Sequence, residues 1–248
     1  MKQANRARRR DTADIRTGQA CLPGAGSQRR DRQRAIRTAI EALILALVLT
    51  AAVAPAAPAA EFAIRPGGSN MVRFLSKAPL ESVEGKTSAV TGRVVVDPEH
   101  LADSVTVQVE VDLASLDTGI DLRNQHMRDN HLETAKFPTA VFEGGRVRDA
   151  TATRLLPGEK VTFNLDGQFT VHGVTRPITA AVEVVAIPDP TAEAAQSAAL
   201  PAIGELKVTA RFEVKLSDHQ ITRPQFLVMR LDEVQRITVE LRAMPPGR

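Results

Sequence analysis

The chain of 248 residues contains no tryptophan, no tyrosine and a single cysteine, Cys21. One cysteine cannot form a disulfide within the chain, nor a Cys-x-x-Cys redox pair. The sequence beyond residue 60 also lacks the Gly-x-Ser-x-Gly, Gly-x-Gly-x-x-Gly and phosphate-binding loop motifs that serve hydrolase and nucleotide chemistry. These absences predict a protein that is not an enzyme and that uses no cofactor.

The main apolar run is too short to predict a membrane-spanning helix. Ala42–Ala54 has 13 residues, whereas a spanning helix needs about 20. It follows the basic block Arg29–Arg37 and precedes an Ala-x-Ala pattern at Ala57 and Ala59, which is the order of an export signal. We therefore expect residues 1–60 to be a signal peptide with a long basic n-region, cleaved near Ala59 to leave a periplasmic or secreted protein. An uncleaved anchor and a start codon placed too far upstream stay open.

The net positive charge of the chain comes from this leader. The first 60 residues hold 11 of the 32 Lys and Arg residues but 4 of the 29 Asp and Glu residues, so the remainder carries a net charge of −4. The basic whole-chain pI of about 9.3 therefore reflects the charge of the leader and not that of residues 61–248. A surface without basic excess cannot hold a phosphate backbone well, and nucleic acid is not an expected partner.

Alternation of apolar and polar residues dominates residues 61–248. In Val105–Val111 the valines share one face, while Thr106, Gln108 and Glu110 take the other, as in a half-buried strand. About eight segments show this pattern, and the short connections between them favour antiparallel pairing. Such a set can form a sandwich or a closed barrel. The segments are Met71–Ser76, Thr91–Asp97, Val105–Val111, Thr139–Gly144, Val161–Val171, Ile178–Val184, Leu206–Leu216 and Ile237–Leu241.

One helix is predicted, over Leu122–Leu132, with Asp117, Thr118 or Asp121 as its N-cap. Eleven residues are too few for the crossover helices of a parallel sheet, so we expect this helix to cover one end of a barrel. Between the strands, turn chemistry predicts boundaries, and an alanine-rich stretch predicts a mobile surface loop. The turns are Asp97-Pro98, Pro157-Gly158, Thr175-Arg176-Pro177 and Asp189-Pro190, and the loop is Pro188–Pro201.

Several ordered motifs resemble those of the YceI family, whose members are exported, lipocalin-like barrels that hold a polyisoprenoid or a similar long apolar molecule. The similarity runs from about Phe62 to Ala243. The resemblance implies an all-β, antiparallel, lipocalin-like barrel of about eight strands with one short capping helix, in a domain spanning residues 61–248. Its motifs are VRFLSKAPLESVEGKT from Val72, SLDTGIDLRNQHMRDNHLETAKFP from Ser115, HGVTRP from His172 and FEVKLSDHQITRPQFL from Phe212.

The inward face of such a barrel supplies the candidate ligand contacts. It is rich in valine and alanine, and these small side chains predict an under-filled interior with space for an apolar guest. Arg128, on the predicted helix, is the candidate contact for a polar head group at the barrel mouth. The remaining candidates are Phe74, Val94, Val107, Val109, Phe142, Phe163, Phe169, Val171, Val182, Phe212 and Val214.

Two other patterns suggest different chemistry. Asp117-Thr118-Gly119 is the turn with which aspartic proteases present a catalytic carboxylate, but two such carboxylates must share a proton and the chain has one copy. A protease would therefore have to be a dimer.

His126 and His131 lie five residues apart, which is about 140° around an α-helix, so the two side chains should not face the same point. We therefore expect His126, His131 and His172 to be surface histidines that form no metal site.

Together these patterns favour an exported carrier for a long-chain isoprenoid or quinone-like lipid. A ligand-free structural or stress-related interaction module with a packed interior is the main alternative, and the dimeric protease is the third. Transient membrane contact and a homodimer are compatible with the sequence and stay open.

Overall fold

The computed structural model describes residues 59–77, 82–102, 105–190, 202–226 and 229–247. The predicted leader, apart from its last two residues, and most of the predicted Pro188–Pro201 loop lie outside the described residues. Among the residues that the structure describes, no helix is long and apolar enough to cross a membrane.

In the part of the chain that the structure describes, twelve strands carry the fold. Ten of them form one antiparallel sheet, and the two short strands β10 and β11 form a separate hairpin. The strands are β1 (Ala60–Ile64), β2 (Met71–Lys77), β3 (Ser82–Thr87), β4 (Val90–Val96), β5 (Thr106–Asp112), β6 (Thr139–Arg148), β7 (Lys160–Val171), β8 (Val174–Pro188), β9 (Ile203–Lys215), β10 (Gln225–Phe226), β11 (Met229–Arg230) and β12 (Val234–Met244).

The large sheet closes on itself through β12. This strand pairs with β9 along its length on one side, and with β1 and β2 on the other. Strands β1 and β2 follow one another along the same line, as do β3 and β4, so each pair occupies one position of the ring. The prediction of a closed, eight-stranded antiparallel barrel with one short helix is confirmed. Closure pairs the backbone groups that an open sheet would expose at its edges.

The alternating apolar residues of the sequence point into the barrel, and the polar residues between them point outwards. On β7 the side chains of Val161, Phe163 and Leu165 are buried, and the residues between them are more exposed. Strand β8 repeats this pattern with Ala180, Val182, Val184 and Ala186. Because successive side chains of a strand point to opposite faces, one apolar residue in two is enough to line the whole interior.

The predicted helix is present as two consecutive elements. An α-helix, α1, covers Asp121–His126, and a π-helical turn follows over Met127–His131, where the N–H of Leu132 donates to the carbonyl of Met127 at 2.9 Å. The N-cap is Ile120, without a side-chain cap, so the predicted capping residues were wrong. Within the described residues there are also two 3₁₀ turns, at Leu113–Ser115 and Leu216–His219.

The turn between β7 and β8 lies earlier than predicted. His172 and Gly173 have φ values of 53° and 71° and form the two-residue turn, whereas Thr175, Arg176 and Pro177 are already paired with β7. Two central residues with positive φ match the right-handed twist of a hairpin. Pro177 lies where β8 pairs with β7 but not yet with β9, and there a missing N–H costs little.

An ion pair on the outer wall joins three neighbouring strands. Arg148 donates from Nε and Nη2 to the two carboxylate oxygens of Asp166, both at 2.7 Å, and Thr179 Oγ1 donates to Asp166 Oδ1 at 2.7 Å. The Arg148 guanidinium, helped by the Thr179 hydroxyl, lowers the pKa of Asp166 from 3.8 to about 2.

This pKa predicts a specific pH dependence. The Asp166 carboxylate stabilises the folded state above pH 3.8, and its contribution is lost as the pH falls from there through about 2. In Asp166→Asn, the free energy of unfolding should therefore fall less steeply between pH 3.8 and about 2 than in the unsubstituted protein. Urea unfolding at several pH values measures this slope. Asp129→Asn, on the exposed surface of the π-helical turn, should keep the slope of the unsubstituted protein. Equal slopes in both variants would contradict the assignment.

Candidate functional site

The barrel is hollow over most of its length. A cavity of about 620 Å³ runs through the interior and is lined almost entirely by apolar side chains from all eight positions of the ring. Pockets of 300–1,000 Å³ are typical of sites for small molecules. Eleven of the twelve predicted site residues line it: Phe74, Val94, Val107, Val109, Phe142, Phe163, Phe169, Val171, Val182, Phe212 and Val214.

One end of the cavity is closed by two crossing loops. Leu101 and Leu155 line the cavity and are only 2% and 1% exposed. Backbone hydrogen bonds join their loops, from Leu101 N to Thr153 O at 2.9 Å and from Leu155 N to Pro98 O at 2.7 Å. These residues form the floor of the cavity.

Beside the floor, part of the interior is close-packed. Phe62, Val161, Ala186 and Ala243 are almost completely buried, yet they do not line the cavity. They lie on strand segments that adjoin the two floor loops. The same inward face of the barrel is thus a packed core at one end and a cavity wall along the rest.

The opposite end opens beside α1. Ile120 and Leu122 line the cavity and are nevertheless 50% and 61% exposed, so this end reaches the surface. A contiguous exposed apolar patch can mark a site for an apolar ligand or partner. We call this end, marked by Ile120 and Leu122, the mouth.

Phenylalanines are concentrated in the cavity wall. The chain has eight, and Phe74, Phe142, Phe163, Phe169 and Phe212 line the cavity. The rings of Phe169 and Phe212 meet edge to face at 5.4 Å, and those of Phe142 and Phe212 stack at 6.5 Å. A low total of aromatic residues therefore still provides an aromatic section of the wall.

Two glycines make room for one of these rings. A Cβ atom at Gly144 or Gly167 would lie 2.7 or 2.6 Å from ring atoms of Phe142. The strands β6 and β7 thus leave side-chain space empty where the Phe142 ring lies flat against them. Gly144→Ala would push this ring into the cavity, and Gly167→Ala would in addition clash with the backbone carbonyl oxygen of Glu143, 2.5 Å from the added Cβ.

The polar residues of the cavity wall are few. They are Thr118, Arg123, His126, His131 and Gln235, and no aspartate or glutamate of the described chain is among the lining residues. Four of the five belong to the segment that carries α1, at the mouth. The cavity is therefore an apolar tube with a polar opening.

The two histidines lie at the mouth, where His126 is exposed and His131 is half-buried. Both His126 and His131 line the same cavity, because the chain changes to a π-helical turn after His126 and a wider turn brings the fifth residue round. His131 is held in place by Nδ1, which donates to the carbonyl of Thr222 at 3.0 Å. Within the described part of the chain, no group of His, Cys, Asp or Glu side chains is arranged to hold a metal ion.

Arg123, and not Arg128, provides the arginine of the cavity wall. Its Nε donates to Thr118 Oγ1 at 2.9 Å and its Nη2 to the Thr118 carbonyl at 2.7 Å, which fixes the guanidinium beside the mouth. The spacing of Arg123, Met127 and His131 is a signal in the sequence that could have found this face, since residues four apart share a helix face.

The Asp-Thr-Gly turn supports α1. Asp117 Oδ1 accepts from the Gly119 N–H and from Asn124 Nδ2, both at 2.8 Å, and Asn124 Oδ1 accepts from the N–H and the hydroxyl of Thr118. The Gly119 N–H, followed by the Asn124 amide, lowers the pKa of Asp117. The carboxylate is thus an anchor for the buried Asn124 side chain.

A second polar contact joins Glu133, just after the π-helical turn, to His172 in the turn between β7 and β8. His172 Nδ1 faces the carbonyl of His219 at 3.2 Å, and His172 Nε2 faces Glu133 Oε2 at 3.0 Å. Both partners are acceptors, so the ring satisfies both only when it carries two protons. Lys136, and after it His172, lowers the pKa of Glu133.

Comparison with known proteins agrees with this architecture. Over 142 residues, or 56% of this chain and 70% of the relative, the chain is 33% identical to a UPF0312 protein of Vibrio vulnificus strain YJ016. It is also 30% identical to a UPF0312 protein of Vibrio parahaemolyticus serotype O3:K6, again over 142 residues, 56% of this chain and 70% of the relative.

Two solved structures share the fold. One is a polyisoprenoid binding domain from Saccharophagus degradans implicated in plant cell wall breakdown, with a TM-score of 0.56, 18% identity, and coverage of 76% of this chain and 99% of that domain. The other is BcnA of Burkholderia cenocepacia, with a TM-score of 0.53, 20% identity, and coverage of 71% and 96%. Residues 62–243, which include nearly every strand described above, match the model of the YceI-like domain, and the chain therefore belongs to the YceI-like family.

Proposed function

We propose that this protein is an exported carrier that holds a polyisoprenoid or a similar long apolar lipid inside its barrel. The cavity of about 620 Å³, apolar along its wall and open at one end, is the observation that carries the proposal. A structural module without a ligand would bury its inward side chains against one another, since protein interiors are close-packed. The fold shared with a polyisoprenoid binding domain adds support.

The energetics of such a guest are favourable. Each methylene group moved from water into an apolar site contributes about 0.8 kcal/mol, so ten of them contribute roughly 8 kcal/mol before costs. Ordering a flexible chain and losing its free movement offset part of this gain. Micromolar or tighter binding therefore needs no charged anchor.

The orientation of the lipid follows from the wall. An apolar tail fits the tube, and a polar head fits the opening, where Thr118, Arg123 and His126 line the cavity. This arrangement assigns to Arg123 the head-group contact that the sequence suggested for Arg128. The exposed Ile120 and Leu122 at the mouth suit a transient contact with the membrane from which a lipid is taken.

Export is part of the proposal. The basic block, the short apolar run and the Ala-x-Ala pattern before Ala60 support a cleaved signal peptide and a periplasmic or secreted product. Shielding an apolar chain from water is a useful task in such a compartment, where lipids must cross an aqueous space between membranes or enzymes.

Lipid extraction tests the function directly. The protein is purified without detergent from its own host, extracted with organic solvent, and the extract is analysed by mass spectrometry. A prenyl or similar long-chain lipid, present in a constant molar ratio to protein across independent preparations, is the expected result. An extract without lipid, together with no uptake of added prenols, would contradict the proposal.

A further inference from the structure

The two ends of the segment that carries α1 are joined to the barrel in different ways. We call residues 117–137 the mouth segment. At its first end, the backbone groups of Asp117 and Lys86, on β3, exchange two hydrogen bonds, both 2.9 Å long. Near its other end, Glu133 is joined to the barrel by the side chain of His172. A change at His172 can therefore alter how firmly the mouth segment is held.

His172 lies where three parts of the chain meet. Its side chain is only 12% exposed, and its ring packs against that of Phe137, with centroids 4.7 Å apart. Besides Glu133, it faces the carbonyl of His219 in the second 3₁₀ turn. Positive φ values occur at Glu133, His172 and Gln220, which are 46°, 53° and 58°. Such values are uncommon outside glycine, and residues held in this way cluster at functional and switch regions.

The carbonyl of His219 is a fixed acceptor, because its 3₁₀ turn is tied to the start of β8. His219 Nδ1 donates to the carbonyl of Val174 at 2.9 Å, and Arg176 Nε donates to the carbonyl of Asp218 at 2.9 Å. A neutral His172 ring carries one N–H. This fixed carbonyl and Glu133 then compete for it, and one of the two contacts loses its hydrogen bond.

His172 is the group whose hydrogen bonds depend on a second ring proton. Lys136 and then His172 lower the pKa of Glu133, so this carboxylate is charged above pH 4.5. His131 and His219 each use Nδ1 to reach a carbonyl, which a neutral ring can also do. The charged and titratable groups on the elements packed around His172 are Glu133 and Lys136 on the mouth segment, Asp218 and His219 on the 3₁₀ turn, and Arg176 on β8.

We propose that His172 is a pH-sensitive latch for the mouth segment. With both ring nitrogens protonated, it bonds Glu133 and the His219 carbonyl together and holds the segment against the barrel. Loss of one proton loosens the segment. Histidine is the side chain that ordinarily changes charge between about pH 5 and 8, so the segment is held most firmly at the acidic end of this range. The latch goes beyond the carrier function, and only its consequence for lipid release rests on that function.

Hydrogen exchange of backbone amides, followed by mass spectrometry, measures the latch without any lipid. The exchange rate at each pH is divided by the intrinsic rate at that pH to give a protection factor. From about pH 5 to about pH 8, protection in residues 120–136 should fall about tenfold, because a charge-assisted hydrogen bond is lost. Peptides from the packed end of β7 are the internal reference and should change less than about twofold.

Three variants assign the effect. His172→Asn keeps a residue that tolerates the left-handed conformation but has no titrating group, so protection of the mouth segment should be low and differ less than about twofold between the two pH values. Glu133→Gln keeps an acceptor without the charge and should reduce the change to less than about threefold. His100→Gln removes another histidine that faces a carboxylate, that of Asp97 at 2.9 Å, in the loop that carries Leu101. It should keep the full change.

Urea unfolding shows which variants are folded, and Glu133→Gln decides if His172→Asn does not fold. The latch is overturned if the unsubstituted protein shows the same protection of the mouth segment at both pH values. It is also overturned if the full change persists in a folded His172→Asn or Glu133→Gln variant.

Transfer of a fluorescent prenol from the protein to phosphatidylcholine vesicles tests the consequence for release. Transfer should be about tenfold faster at about pH 8 than at about pH 5, and His172→Asn should remove this difference. Equal rates at the two pH values in the unsubstituted protein would overturn the role in release. If no prenol binds at all, the carrier function is wrong, and hydrogen exchange still decides the latch.

Discussion

Val109→Phe is expected to weaken the binding of a long apolar lipid by about a hundredfold and to change the free energy of unfolding little. Val109 lies in the middle of β5, lines the cavity, and pairs with Gly92 and Phe142 on the neighbouring strands. The larger side chain fills space equal to about four methylene groups of the guest, roughly 3 kcal/mol of lost burial. That loss corresponds to about a hundredfold in affinity.

Val161→Phe provides the matched control. Val161 has the same inward direction and is 1% exposed, but it belongs to the packed end and does not line the cavity. Extra volume in a close-packed site costs about 1–3 kcal/mol of stability, so this variant should unfold at lower urea concentration. Any variant molecules that remain folded should bind lipid as the unsubstituted protein does.

Measured together, the two variants decide whether the interior is hollow in solution. Lipid affinity comes from competition binding and stability from urea unfolding on the same preparations. A stability loss of 1–3 kcal/mol in Val109→Phe, equal to that of Val161→Phe, would show a close-packed interior and contradict the carrier.

This contrast also marks what sequence alone could predict. Period-two alternation identified the inward face correctly, and eleven predicted residues do line the cavity. Alternation does not distinguish Val109 from Val161, because both are inward valines on central strands. The difference arises from the loops around Leu101 and Leu155, whose closure over one end depends on contacts far apart in sequence.

The mouth was predicted less well, for a local reason. Spacing rules for an α-helix separated His126 from His131, and the π-helical turn between them has no reliable signature in composition. The sequence suggested Arg128, on the predicted helix, as the head-group contact, whereas the arginine that lines the cavity is Arg123. The hairpin turn at His172-Gly173 was also missed, since a histidine with positive φ is uncommon and the nearby proline gave a stronger turn signal.

Phe62→Ala is expected to lower the free energy of unfolding by about 3–5 kcal/mol, the range for truncating a buried phenylalanine. Phe62 is 1% exposed, pairs with Val94 across β1 and β4, and packs in the solid end of the barrel without lining the cavity. The surrounding strands are tied into the closed ring and cannot collapse into the void. The measurement is urea unfolding of the purified protein.

Phe212→Ala makes the same chemical change on the cavity wall and should cost less, about 1–3 kcal/mol. One side of the Phe212 ring already faces empty space, so truncation removes contacts with Phe142 and Phe169 but creates little new void. Lipid should restore part of this loss when it occupies the tube, because a ligand that binds only the folded state stabilises it. Equal costs for the two phenylalanines in lipid-free protein would mean that both are packed alike, and the division of the barrel into a solid end and a hollow end would be wrong.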